Sequence, residues 1–116
     1  MDDQSLKENR PISNDEAEIV IRMLRDASVV GSLEYLVDSV WTLRVVGRCS
    51  CGCSSVDFQD PHQPGNRLLA DGMGSLESGE DVKITIWGRP DAIISLEILA
   101  ERPGPTGLPL ADSIRA

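Results

Sequence analysis

The sequence predicts an α+β domain in which two N-terminal helices pack on an antiparallel β-meander of about five strands. Three observations carry that expectation. Apolar residues recur at helical spacing between Ile19 and Val40, and alternation with a period of two takes over from Trp41. Toward the C-terminus, two alternating runs face each other across a Gly-Arg-Pro-Asp segment. At 116 residues the chain is expected to be a single domain spanning 1–116, with one core.

Residues 1–11 are polar and charged, and are expected to form a loose N-terminal arm. Ser13 followed by Glu16 is a capping box, with Ile12 and Ala17 placed to form the hydrophobic staple. Ile19, Val20, Met23, Leu24 and Ala27 then make one apolar stripe of a first helix. After Gly31 and Ser32, the spacing of Leu33, Leu36, Val37 and Val40 predicts two further helical turns.

Trp41, Leu43 and Val45 alternate with Thr42 and Arg44, which predicts a strand whose odd phase continues through Gly47 into Cys49, Cys51 and Cys53. Val56 and Phe58 are apolar at even positions, so a turn or bulge is expected between Gly52 and Ser55. Residues 60–66 are a loop by composition, followed by a short strand from Arg67 to Ala70. The glycine-rich run after Ala70 is expected to stay a loop.

Val82, Ile84 and Ile86 share a face with Ile94, Leu96 and Ile98 in a hairpin turning at Arg89 to Asp91. The expected register sets Val82 opposite Ile98, Ile84 opposite Leu96, Lys83 opposite Glu97 and Trp87 opposite Ile93. Residues 103–116 carry Pro103, Pro105 and Pro109, too many for a central strand, and are expected to be an extended C-terminal arm.

The three cysteines fall at every second position, Cys49, Cys51 and Cys53. Residues two apart on an extended strand are ~6.6 Å apart, whereas sulfurs sharing a tetrahedral zinc ion are about 3.8 Å apart. A zinc site would need Gly52 to fold the chain and a fourth ligand, with His62 or Asp57 as candidates. A thiol-dependent enzyme would need His62 beside one of these cysteines and a third group to orient it. The simpler expectation is small buried hydrophobes at a bend, with no cofactor.

The stretch VVGRCSCGCSSVDF, the later ISLEI and a tail ending LPLADSIR resemble a group of small bacterial proteins of unknown function. These carry a G-x-C-x-C-G-C run, a strand of LE-aliphatic type and a late LP. The resemblance spans Val45 to Arg115 and implies a family without implying an activity.

A net charge of −8 and only four aromatic residues argue against nucleic acid as a partner. The N-terminus MDDQSLKENR has charge where a signal peptide needs an apolar stretch, and no segment is apolar enough to span a membrane, so a cytoplasmic location is expected. Nothing in the sequence assembles a nucleophile, base and orienting group. The expected role is therefore a non-enzymatic binding or regulatory module. Trp87, Ile93 and Leu99 are the expected contact surface, and a homodimer or another protein the expected partner.

Overall fold

The computed structural model describes residues 5–49, 53–101 and 106–116. Among them, six strands form one antiparallel sheet in the order β1-β2-β3-β6-β5-β4, so the class is α+β. The strands are β1 (Ser5–Pro11), β2 (Arg44–Cys49), β3 (Val56–Asp57), β4 (Arg67–Ser75), β5 (Asp81–Arg89) and β6 (Ala92–Ala100). Between β1 and β2 lie helix α1 (Asn14–Asp26), a 3-10 turn (Glu34–Leu36) and helix α2 (Val37–Val40).

The expectation of a loose arm over 1–11 is corrected from Ser5 onward. β1 pairs with β2, placing Lys7 opposite Gly47 and Arg10 opposite Val45, with a bulge between. Its polar sequence is that of an edge strand, where charged side chains discourage pairing with foreign strands. Glu8 lies 3.5 Å from Arg10 and 3.6 Å from Arg48, and Asn9 Oδ1 accepts from Arg44 at 3.0 Å.

The capping box forms as the sequence predicts. Ser13 Oγ accepts from the Glu16 amide at 3.1 Å, and Glu16 Oε1 accepts from the Ser13 amide at 2.9 Å. Both Glu16 oxygens also accept from the Arg10 guanidinium at 2.8 Å, which ties the edge strand to the start of α1. Ala17, Ile19, Val20, Met23, Leu24 and Ala27 are buried, as are Leu33, Leu36, Val37 and Val40.

Trp41 does not begin a strand. It caps α2, and the amides of Thr42 and Leu43 bond back to Ser39 and Val40, so the chain is still leaving the helix. Its side chain is 53% exposed, whereas Val45 is buried within β2. The simple meander is corrected as well. β4, β5 and β6 follow one another, but β6 takes β3 as its other neighbour, so residues 58–66 carry the chain past two strands to β4.

β5 and β6 keep the expected faces in a different register. Ile84 stands opposite Ile98, Thr85 opposite Glu97, Ile86 opposite Leu96 and Trp87 opposite Ser95. A two-residue turn at Pro90 and Asp91 replaces the three-residue loop, and the register shifts beyond Trp87, where Gly88 faces Ile93. A slip of two preserves which side chains point inward, because side-chain direction has period two. Val82, Ile84, Ile86, Leu96 and Ile98 therefore meet the apolar stripe of α1.

Of the glycine-rich run expected to be a loop, residues 76–80 turn as expected, whereas residues 71–75 are the second half of β4. Gly72 and Gly74 stand on its inward side, opposite Ile84 and Val82. A Cβ at Gly72 would come within 2.5 Å of the Arg115 carbonyl, so the glycine lets the C-terminal segment approach. Residues 106–116 lie along the outer edge of β4. Met73 and Arg115 exchange backbone bonds at 2.8 and 2.9 Å, Ser75 accepts from the Leu110 amide at 2.9 Å, and Ile114 enters the core. The segment packs on its own chain, and its proline-rich beginning at 103–105 lies outside the described residues. No helix among the described residues is long and apolar enough to cross a membrane.

Two outcomes follow from these contacts. Burial pushes the Glu16 carboxyl up, but the hydrogen bonds from Arg10 and Ser13 outweigh it and hold it below its ordinary value. A lowered folded-state value adds stability at neutral pH that is lost as the pH falls through it. Glu16→Gln should cost roughly 1–2 kcal/mol at pH 7 and flatten the acid dependence of urea unfolding below about pH 4.5. Ile114→Ala should cost about 2 kcal/mol by the same measurement, because it unseats the C-terminal segment from the core.

Candidate functional site

The face of the sheet turned away from α1 is organised by the register into three rows. Leu68, Trp87, Ser95 and Asp57 lie side by side in the first. Asp71, Thr85 and Glu97 form the second, and Met73, Lys83 and Leu99 the third. Trp87 is 37% exposed and Leu99 50% exposed, while the short side chains of Thr85 and Ser95 are buried between larger neighbours.

Glu97 sits at the centre of this surface, between the Trp87 and Leu99 rows. Its Oε1 accepts from Thr85 Oγ1 at 3.0 Å and from Trp87 Nε1 at 3.2 Å. The indole is thereby oriented by a carboxylate, with an apolar body on the surface and its polar edge satisfied. Lys83, expected opposite Glu97, instead faces Leu99 and lies 3.7 Å from Asp71. Arg89, at the end of β5, lies 3.6 Å from Asp91 and donates to Gln63 at 2.7 Å.

Ile93 is corrected. It faces Gly88, the next inward position after Ile86, and is 2% exposed as part of the core, so it is not a member of the contact surface. The extra residue in β6, Ile94, shifts the phase and turns Ile93 inward. Sequence parity alone points to Thr85 and Glu97 as neighbours of Trp87. What parity lacks is the register that brings one carboxylate under both donors.

Cys49 ends β2 opposite Ser5 and is half-buried, as is Cys53. Cys51 lies outside the described residues, as does Gly52 at the start of the expected bend. His62 is exposed in the loop after β3, where its amide donates to Asp60 Oδ1 at 2.9 Å. Among the described residues, no three His, Cys, Asp or Glu side chains converge as a metal-holding group.

In the three rows named above the open face carries neither histidine nor cysteine. What it offers is recognition: an oriented indole, a carboxylate and an exposed aliphatic side chain. Compared with known proteins, the chain matches no family model, no curated protein and no solved structure.

The assignment of faces has a direct consequence for stability. Leu99→Ala should change unfolding free energy by about 0.5 kcal/mol or less, whereas Ile98→Ala, one residue away, should cost about 3 kcal/mol. Urea melts of the two variants check this. Equal costs would contradict the placement of Leu99 on the open face.

Proposed function

We propose that the protein is a small non-enzymatic binding module acting through protein–protein contact, with the sheet face around Trp87 and Leu99 as its contact surface. The observation that carries this reading is the exposure of both side chains on a face that neither α1 nor residues 106–116 cover. Large apolar side chains gathered on one exposed face mark interaction surfaces on small domains. Membership of the group of small bacterial proteins with a G-x-C-x-C-G-C run belongs to the same reading, supported by Gly47 to Cys53 and the late Leu108-Pro109. So does a cytoplasmic location, supported by the charged N-terminus.

The test compares affinity capture from the native cell by the wild type and by Trp87→Glu and Leu99→Glu, each first shown to melt like the wild type. A protein retained by the wild type and lost with both variants is the expected result. Retention unaffected by either substitution would contradict the reading.

A further inference from the structure

Charge on the open face distinguishes between occupants. Its cations are engaged within the chain: Lys83 lies 3.7 Å from Asp71, and Arg89 lies 3.6 Å from Asp91. Glu97 is different. Its two hydrogen bonds come from neutral donors, the Thr85 hydroxyl and the Trp87 indole, and both go to Oε1. No cation is paired with it among the described residues. The centre of the surface is therefore a half-buried carboxylate with Oε2 left to accept, framed by an indole on one side and Leu99 on the other.

A second copy of the chain suits this surface poorly. It would bring another Glu97 and, among the described residues, no spare cation from the same face, and the chain as a whole carries −8. Like charges brought together across an interface oppose association. A cationic side chain suits it well, because carboxylate and indole both attract cations, the first by charge-assisted hydrogen bonding and the second through its ring face.

We propose that the open face docks a protein segment presenting a lysine or arginine between apolar residues, with Glu97 accepting the cation and Trp87 and Leu99 taking the apolar flanks. This rests on the binding-module reading and names the chemistry of the partner. The acidic charge of the whole chain would speed the encounter at low salt.

The probe is a blocked hexapeptide of alternating arginine and valine, titrated into the full chain carrying Trp41→Phe so that Trp87 is the only indole. Comparators replace arginine with neutral citrulline or with glutamate. The expected result is a saturable change in Trp87 emission with the arginine peptide, weakened about tenfold by Glu97→Gln and also by citrulline. The glutamate peptide should give no response. Equal affinity for the arginine and citrulline peptides, abolished by Leu99→Glu, would overturn the cationic partner while leaving the contact surface standing. No peptide response, together with a dimer in sedimentation that Leu99→Glu dissociates, would make a second copy the occupant and overturn the proposal. No response from a monomer would remove both readings.

Discussion

Thirteen helical residues can shield one side of a sheet and no more. A helix of that length is about 20 Å long and about 10 Å across, whereas nine-residue strands run about 30 Å. α1 lies against β4 and β5, the C-terminal segment adds Ile114 to the same core, and Val82, Ile84, Ile86, Leu96 and Ile98 fill the space between. The opposite face is left to side chains that tolerate water and to a few apolar ones that remain exposed. Lys83 and Glu97 are of the first kind, while Trp87 and Leu99 are apolar and stay exposed.

A second constraint is the joint between the two halves of the sheet. β3 contributes only Val56 and Asp57 to it. Beside them, Ser55 Oγ accepts from the Ile98 amide at 2.8 Å and donates to the Ile98 carbonyl at 3.2 Å, so a side chain takes the place of a ladder partner. Alternation does not pass cleanly through the joint, because exposed Arg48 pairs with buried Val56. Cys49 ends β2, and Cys53 stands three residues before Val56 of β3.

Much of this was legible in the residues, and the failures have physical causes. The capping box at Ser13 and the inward row of β5 could be read because each rests on local chemistry or on parity. β1 escaped because an edge strand can be polar throughout, and polarity also signals a loop. At Trp41, alternation over three apolar residues is equally the pattern of a strand and of a chain unwinding from a helix. The hairpin register missed by two because a bulge in β6 and a two-residue turn are indistinguishable from a longer turn in the pattern of apolar residues. The same ambiguity makes Lys83 the apparent partner of Glu97, which the structure pairs with Thr85. The site at Glu97 thus depends on a register that sequence patterning left undetermined.

The openness of the Trp87 and Leu99 face in the free protein is the point on which the functional reading turns. A soluble paramagnetic agent, added to methyl-labelled protein, reports it directly through the relaxation of each methyl signal. Leu99 methyls should broaden strongly while those of Ile84 and Ile98, one strand face away, stay sharp. Leu99 methyls as protected as those of Ile98 would contradict an open face and show that something already covers it.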